Sequence, residues 1–434
     1  MNEFVMKGCS VNAEGNLSFS GMDTVSLAKK YGTPLYLMDE NIIRDNCRIY
    51  ASAIKKHFGA DSYPCFASKA LSFKGIYKII SEEGLGSDAV SAGELYTASS
   101  AGFDMKKIFF HGNNKTDTDI EFAISLGVGW FVVDNTDELY AIDRIAGEKG
   151  IIQKILLRIT PGIDPHTHQA IATGKVDSKF GSAIATGNAE NIVRLAMECK
   201  NIKLSGFHCH IGSQIFEIEP FVDAADIMLS FIAEMKSKLG FETEVLNLGG
   251  GFGVRYVKEH PYFDYEAAIE KLADQMKNKC SENGIKLPNV ILEPGRSIVA
   301  SAGLTLYTVG SVKCIPDIKN YVSVDGGMPD NPRYALYQSQ YEFVVANRAA
   351  EKPVFTCSVA GRCCESGDLL GENVTIQPVC KGDILAVEVT GAYNYSMASN
   401  YNRLPRPALV MLRDGVDYVA VKRESFEDLI RNDT

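Results

Sequence analysis

Short runs of β-branched and aromatic residues alternate with stretches of helical period through the middle of the chain, a pattern typical of a parallel α/β fold. The eight runs span residues 63–68, 86–90, 107–112, 130–135, 154–161, 203–212, 245–251 and 290–296. Eight strands joined by helices match the strand count of a TIM (β/α)8 barrel, whereas doubly wound sheets more often have five to seven. We therefore predict the barrel.

The pattern changes after residue 296, where strands of period two are separated by Gly, Pro and Asp turns. These strands span residues 304–312, 321–324, 384–389 and 409–412. They predict an all-β C-terminal domain of the β-sandwich or Greek-key barrel type.

Two domains are expected because 434 residues exceed the size at which a single hydrophobic core usually stops growing. Residues 1–35 contain one or two short strands and a helix, and we expect this segment to pack with the β-domain. The barrel is then predicted over residues 36–299 and the β-domain over residues 300–434.

Composition is that of an ordinary globular protein, with 46% apolar residues, 23% charged residues and a mean hydropathy of -0.04. No segment resembles a transmembrane helix. The first ten residues, MNEFVMKGCS, lack the basic patch, apolar run and cleavage site of a secretory signal. A cytoplasmic protein is expected.

Charge and cysteine content exclude several other classes. A net charge of -10 and a pI near 5.4 would repel phosphate backbones, so nucleic acid is not an expected partner. The eleven cysteines are scattered without a CxxC pair, so the sequence suggests neither a disulfide framework nor a zinc site. Most of them are expected to be reduced, buried thiols.

Polar or glycine residues follow the predicted barrel strands at their C-terminal ends. They are Lys69, Asp88, His111, Asn135, Arg158, His210, residues 249–251, Glu293 and Arg296. In a TIM barrel that end carries the active site, so these residues are expected to converge on one mouth. The alternative, ordinary loop polarity, explains one or two of them.

Lys69 and Glu293 are the first chemical candidates. Lys69 follows an apolar run and should point into the mouth, where desolvation favours the neutral amine that attacks an aldehyde. The alternative is a solvated surface lysine. Glu293 could pair with a protonated ring nitrogen and so strengthen a pyridine as an electron sink. Its alternative is a salt bridge to Arg296.

The segment NLGGGFG offers backbone N–H groups that no side chain obstructs, which suits a phosphate oxygen. It is not the GxGxxG dinucleotide fingerprint, and a tight strand-to-helix turn explains it equally well. Ser213 could also donate to a phosphate.

The segment FHCHIGS places His208 and His210 on one face of a strand if the alternation continues. A metal site is one interpretation, but no further ligand nearby completes a zinc motif. We favour an imidazole that faces a flat cofactor.

Cys364 and Glu365, in GRCCESGD, combine a thiol acid with a carboxylate. A cysteine is usually a small buried hydrophobe. The Ser-Gly-Asp that follows instead favours an exposed loop of the β-domain.

Together these segments resemble the fold-type III pyridoxal-phosphate (PLP) decarboxylases, the group that contains diaminopimelate, ornithine and biosynthetic arginine decarboxylases. The resemblance covers nearly the whole chain, and the motifs occur in the order in which diaminopimelate decarboxylases carry them. The most specific stretches are SDAVSAGELYTASSAGF, GIDPHTHQAIATGKVDSKFG, HIGSQ, NLGGGFG, EPGR, CESGD and GAYNYSMASNYNRLPRPA. Departures are local: FASKALS replaces AVKAN, NPRYALY replaces NPRPALY, and GRCCESGD replaces GPxCESGD.

The resemblance implies PLP as cofactor and assigns residues to it. Lys69 would hold it covalently, His210 would stack on its ring and Glu293 would bind its pyridine nitrogen. The remaining cofactor-binding residues would be Asp88, Arg158, Ser213, Gly250, Gly251, Gly295, Arg296 and Tyr393.

The resemblance also implies a homodimer with shared active sites and a substrate. Cys364 would return a proton to carbon after carbon dioxide leaves, and Cys364 and Glu365 would enter the site from a second subunit. The residues that match the substrate site are Arg296, Arg333, Tyr337, Glu365 and Tyr393.

The two arginines would hold a distal carboxylate and Glu365 a distal ammonium, which favours meso-2,6-diaminopimelate as substrate and L-lysine as product. One alternative is a related PLP decarboxylase of another basic amino acid or a carboxylated polyamine. Another is a PLP-binding protein or racemase on the same barrel.

Overall fold

The structure, a computed structural model, describes residues 4–163 and 179–434. The chain forms two units: the barrel unit, Asn46–Gly253 and Phe263–Gly295, and the sheet unit, Met1–Asp45, Val254–Tyr262 and Arg296–Thr434. These units differ from the predicted domains at residues 36–45, 254–262 and 296–299, and the domain boundaries stay a prediction. Most of the motif GIDPHTHQAIATGKVDSKFG, residues 164–178, lies outside the described residues.

The sheet unit begins with short elements. They are β1 (Cys9–Val11), β2 (Leu17–Phe19), β3 (Met22–Asp23), α1 (Thr24–Tyr31) and β4 (Leu35–Asp39). The first three strands form a small antiparallel sheet, so this segment has more strands than predicted. Asp23 caps α1, because its carboxylate accepts a 2.6 Å hydrogen bond from the Ser26 amide. Helix α2 (Glu40–Phe58) then leads into the barrel unit.

Parallel strands close the barrel unit into a ring. The strands are β5 (Tyr63–Ala67), β6 (Gly86–Ala89), β7 (Ile108–Phe110), β8 (Trp130–Val133), β9 (Gln153–Thr160), β10 (Ser182–Ala183), β11 (Ile202–His208), β12 (Val245–Asn247) and β13 (Asn289–Leu292). Apart from β10, neighbours along the chain pair in parallel, and β13 pairs with β5. The two-residue β10 pairs in parallel with the last residues of β9. The predicted TIM barrel is confirmed.

Helices connect these strands: α3 (Lys74–Glu82), α4 (Ala92–Ser100), α5 (Asp117–Ser125), α6 (Thr136–Glu148), α7 (Asn188–Glu198), α8 (Glu219–Leu239) and α9 (Tyr265–Glu282). Polar residues after the strands start several of them. Asn135 accepts a 3.0 Å hydrogen bond from the Glu138 amide and so caps α6. Ordinary loop polarity therefore explains Asn135, and its predicted place among the mouth residues is wrong.

Strand β11 ends earlier than the sequence pattern predicted. The pattern predicts one strand over residues 203–212, but β11 ends at His208, where the Cys209 amide still donates to the Asn247 carbonyl of β12. His208 and His210 therefore do not alternate along one strand face. This expectation was wrong because a buried apolar run does not show where a strand leaves its ladder.

The rest of the sheet unit is built around one long strand. In chain order its elements are α10 (Arg296–Val299), β14 (Gly303–Ile315), β15 (Lys319–Val324), α11 (Arg333–Tyr337), β16 (Phe343–Val345), β17 (Phe355–Ala360), β18 (Leu369–Ile376), β19 (Ile384–Val387), β20 (Ala408–Arg413), β21 (Val416–Val421) and α12 (Phe426–Ile430). The first half of β14 pairs with both β4 and β19, and its second half pairs with β15. The four predicted C-terminal strands are confirmed, and β4 is the N-terminal contribution to their sheet.

Within the described residues, no helix combines the length and the apolar character that a membrane span needs. All eleven cysteines are free thiols. Five of them are buried, so the expectation that most would be buried is wrong.

Candidate active site

The carboxyl end of the barrel gathers most of the predicted residues, because all eight strands of the ring run in the same direction. Glu293 is the centre of this group and is 7% exposed. Its Oε1 lies 2.8 Å from His111 Nε2 and accepts a 2.7 Å hydrogen bond from Asn247 Nδ2. Its Oε2 lies 3.2 Å from His208 Nε2. One buried carboxylate is thus surrounded by three nitrogen donors.

The surroundings keep Glu293 ionised. Burial alone would raise its pKa, but His111 and His208 outweigh burial and hold the pKa of Glu293 well below its usual range. Burial lowers the pKa of His208 to about 4 and lowers that of His111 as well. Both imidazoles are therefore neutral, and each can donate its Nε2 proton to the carboxylate.

His111, His208 and Glu293 bring three potential metal ligands within 4.8 Å of one another. This is a different set from the His208 and His210 pair considered from the sequence. A histidine that donates its Nε2 proton to a carboxylate cannot offer the same nitrogen to a metal ion. The hydrogen bonds therefore favour a negatively charged binding site for a cationic group over a metal site.

Asp88 and Lys69 lie at the ends of neighbouring strands. The Ser68 amide donates a 2.8 Å hydrogen bond to Asp88 Oδ1, which ties the turn after β5 to β6. Burial and then the charge of Glu293 raise the pKa of Asp88 well above its usual range. Lys69 is exposed although Ser68 and Ala70 beside it are buried, so the desolvation expected for its amine is not found.

The triple glycine forms a turn packed against neighbouring backbone. A Cβ at Gly250 would lie 2.0 Å from the carbonyl oxygen of Glu293, and one at Gly251 would lie 2.2 Å from that of Gly212. The Gly250 amide donates a 3.3 Å hydrogen bond to His210 Nδ1, which leaves the other ring nitrogen as the protonated one. This packing alone requires glycines, so the tight-turn interpretation accounts for the motif without a phosphate.

Arg158 lies on β9 with its guanidinium 4.3 Å from the ring centre of Phe180. Burial lowers the pKa of Arg158, while the nearby Asp134 acts in the opposite direction. Asp134 itself accepts a 3.0 Å hydrogen bond from the Gly181 amide. Ser213 is half-buried in the segment that follows His210.

The sheet unit carries a second group, in which two buried arginines share tyrosine rings. Arg296 donates a 2.9 Å hydrogen bond to the hydroxyl of Tyr256, and its guanidinium lies 4.7 Å from the ring centre of Tyr393. The guanidinium of Arg333 lies 5.5 Å from the rings of Tyr337 and Tyr393 and 5.8 Å from that of Tyr256. The two arginines thus share the rings of Tyr256 and Tyr393, and four predicted substrate residues, Arg296, Arg333, Tyr337 and Tyr393, belong to this group.

Arg333 is 8% exposed and donates a 3.2 Å hydrogen bond to Ser339 Oγ. Among residues 4–163 and 179–434, no carboxylate forms an ion pair with it, and its Nε is buried without a partner. Burial first of all raises the pKa of the nearby Tyr341 to about 12, so that ring remains neutral. A buried cation without an anion is costly, so this cluster is suited to an anionic ligand.

Cys364 and Glu365 lie in the loop between β17 and β18, and both are exposed. The Cys364 amide donates a 2.9 Å hydrogen bond to Asn402 Oδ1, and Glu365 Oε1 accepts a 3.3 Å hydrogen bond from the Gly367 amide. The expectation of an exposed loop is met.

Sequence reasoning missed four residues of these groups. His111 was noted only as a polar strand end, and Asn247, at the start of NLGGGFG, was not considered. No local pattern distinguishes Tyr256 or Tyr341 from ordinary buried tyrosines. Only their contacts with Glu293, Arg296 or Asn394 reveal them.

Comparison with known proteins finds a match over residues 44–300 to the pyridoxal binding domain of pyridoxal-dependent decarboxylases. The diaminopimelate decarboxylase of Bacillus methanolicus is 46% identical over 95% of this chain and 96% of its own length. That of Halalkalibacterium halodurans is 47% identical over 98% of this chain and 96% of its own length. The crystal structure of the M. jannaschii diaminopimelate decarboxylase in complex with L-lysine superposes with a TM-score of 0.91 at 35% identity, covering 100% of this chain and 99% of that one.

The Glu293 cluster predicts a measurable loss of stability. Glu293→Gln should lower the free energy of unfolding by about 1–3 kcal/mol, because an amide cannot accept all three donors. The single tryptophan, Trp130 on β8, allows urea unfolding of the barrel unit to be followed by fluorescence. Glu121→Gln, on the exposed surface of α5, is the matched control and should stay within about 0.5 kcal/mol.

The same variants should differ in pH dependence. The pKa of Glu293 is lower in the folded chain than in the unfolded chain, so its contribution is complete above the unfolded pKa and is lost as the pH falls through the folded value. The difference between the original chain and Glu293→Gln should therefore shrink in acid. A difference that grows in acid would contradict the assigned charge.

Proposed function

The chain belongs to the diaminopimelate decarboxylases, within the family of pyridoxal-dependent decarboxylases, and on that premise we propose that it decarboxylates meso-2,6-diaminopimelate and releases L-lysine and carbon dioxide. The observation that carries the proposal is the Glu293 carboxylate, held ionised and buried by three donors at the barrel mouth. Such a carboxylate stabilises the protonated nitrogen of a pyridine ring.

The residues at the mouth fit pyridoxal phosphate. Glu293 would pair with the ring nitrogen, His210 would contact the ring face and Lys69 would hold the aldehyde carbon covalently. The remaining holders in the barrel unit would be Asp88, Arg158, Ser213, Gly250, Gly251 and Gly295. The family resemblance would add Arg296 and Tyr393. Bound PLP supplies the conjugated ring that accommodates the electron pair left when carbon dioxide departs. The protein supplies orientation and electrostatics.

The arginine cluster supports the choice of substrate. Arg296 and Arg333 are both buried, and tyrosine rings rather than acids surround Arg333 within the described chain. A charge-assisted pair with the distal carboxylate of diaminopimelate would offset the cost of burying that cation. Lysine and ornithine lack this carboxylate, so either would leave Arg333 buried and uncompensated. Tyr337 and Tyr393 would line the same subsite.

Cys364 and Glu365 would act in a neighbouring subunit. Both are exposed on one loop of the sheet unit, where a second copy of the chain can reach them. Cys364 would give a proton to the α carbon after carbon dioxide leaves, and Glu365 would hold the distal ammonium. We accordingly propose a homodimer with shared active sites, located in the cytoplasm, where eleven free thiols would stay reduced.

Covalent attachment of the cofactor is tested by mapping. Borohydride reduction of the holoenzyme should fix PLP on the peptide that contains Lys69, and Lys69→Ala should abolish the attachment. Lys74→Ala, an exposed lysine at the start of α3, is the control and should leave the labelled site unchanged. Label on any other lysine would refute the assignment.

Substrate choice is tested at Arg333. Arg333→Ala should weaken transition-state binding of diaminopimelate by about 2–5 kcal/mol, the usual cost of removing one partner of a desolvated pair. Arg333→Lys should recover only part of this binding energy, because an ammonium cannot make the two parallel hydrogen bonds that a planar guanidinium makes to a carboxylate. Arg413→Ala, an exposed arginine of the same unit, is the control. The ratio of kcat/KM for diaminopimelate and lysine is the measurement, and an unchanged ratio in Arg333→Ala would contradict the clamp.

Shared sites are tested by mixing inactive subunits. Lys69→Ala and Cys364→Ala should each be nearly inactive alone, but their heterodimer would contain one intact site. Random reassortment makes half the dimers mixed, so roughly a quarter of the original activity is the ceiling. As a control, mixing Lys69→Ala with the variant that carries both Lys69→Ala and Cys364→Ala should recover no activity. If subunits exchange and activity still does not return with the two single variants, the site lies within one chain.

A further inference from the structure

Asp368 is a buried acid of the sheet unit to which the proposed function gives no role. Asp368 ends the loop between β17 and β18, and it is 3% exposed although residues 364–367 before it are exposed. It is the last residue of the segment CESGD. The side chains of Cys364 and Glu365 thus stand on a loop whose far end is anchored in the interior.

The carboxylate of Asp368 joins two separate loops. Its Oδ2 accepts a 2.7 Å hydrogen bond from the Cys363 amide, within its own loop. Its Oδ1 accepts a 2.6 Å hydrogen bond from the Met328 amide, in the loop that follows β15. The Arg362 amide adds a 2.9 Å hydrogen bond to the carbonyl of Gly326. One carboxylate group thus accepts hydrogen bonds from backbone amides of two loops that are far apart in the sequence.

Two glycines make room for the carboxylate. A Cβ at Gly361 would lie 2.2 Å from Asp368 Oδ2, and a Cβ at Gly327 would lie 2.4 Å from Asp368 Oδ1. Any other residue at either position would displace the acid from its partners. The backbone on both sides is therefore shaped around this one side chain.

We propose that Asp368 is a positioning residue that holds the Cys364 loop in the geometry needed for proton return. It acts through the Cys363 amide, one residue before Cys364, and it touches neither substrate nor cofactor. The inference rests on the proposed function, because it assumes that Cys364 is the proton donor.

Loss of Asp368 should affect Arg333, the proposed partner of the distal carboxylate, less than it affects the return of the proton. Arg333 begins α11 five residues after Met328, but its loop keeps a second anchor. Asp330 accepts hydrogen bonds from the Tyr307 hydroxyl and, at 3.1 Å, from the Gly327 amide. Loss of Asp368 should therefore lower kcat and misdirect protonation while KM for the substrate changes little.

The test replaces Asp368 with an isosteric amide. Asp368→Asn presents an NH2 group to one of the two amides and so breaks one connection. Turnover should fall by about 10- to 100-fold, the scale expected when a reacting group is misplaced by an ångström. The fraction of decarboxylation events that give an aldehyde and aminated cofactor, instead of L-lysine, should rise. That fraction is measured by product analysis against carbon dioxide released.

Asp383→Asn is the matched control. Asp383 is also a buried acid of the sheet unit, and it accepts a 2.8 Å hydrogen bond from the Cys380 amide in a different loop. The Asp383→Asn variant should have a lower thermal stability but an unchanged fraction of aldehyde product. If Asp383→Asn misdirects protonation as much as Asp368→Asn, the effect is general loosening and the proposal fails.

A double-variant cycle decides whether Asp368 acts through the thiol. In a Cys364→Ala background, Asp368→Asn should change the product fraction little further, because the positioned group is already gone. A full additional effect there, or an unchanged fraction in Asp368→Asn alone, would overturn the proposal. If Asp368→Asn does not fold, Gly361→Ala displaces the carboxylate without removing it and takes its place.

The proposed function is checked separately by carbon dioxide release from diaminopimelate in the unaltered holoenzyme. If another amino acid proves to be the substrate, that function fails, and the Asp368 measurements are made on the substrate that is accepted. The two outcomes are therefore distinguishable.

Discussion

The ionised carboxylate of Glu293 is the constraint on which the barrel mouth depends. A buried negative charge is tolerated only when hydrogen-bond donors satisfy it. Three residues at different strand ends provide those donors: His111, His208 and Asn247. Their hydrogen bonds hold both imidazole rings next to the Glu293 carboxylate. The glycine turn brings its backbone against the carbonyl of the same residue, so the charge and the packing are fixed together.

The sheet unit presents the opposite electrostatic situation. Arg296 and Arg333 are buried cations, and their described neighbours include the rings of Tyr256, Tyr337 and Tyr393. A ring face attracts a guanidinium but does not neutralise it. Within the described chain no carboxylate pairs with Arg333, and this observation supports its proposed role as the partner of a distal carboxylate that lysine and ornithine lack.

A third buried group, the Asp368 side chain, connects two loops of the sheet unit. Asp368 accepts backbone amides from two loops, and glycines at 327 and 361 allow both loops to approach it. The exposed side chains of Cys364 and Glu365 then extend from a loop whose backbone is held in place at Cys363. Exposed reactive groups need such an anchor because a mobile loop would spread them over many positions.

Local patterns in the sequence predicted the eight barrel strands and the later period-two strands, because periodicity and turn residues are local signals. The sequence could not show that β11 ends at His208, that Asn135 is a helix cap or that Lys69 is exposed, since pairing partners and burial depend on the rest of the chain. His111 and Tyr256 became part of the site only through contacts with residues far away in sequence. The charge state of Glu293 likewise depends on contacts between distant segments, because the histidines that lower its pKa come from separate strands.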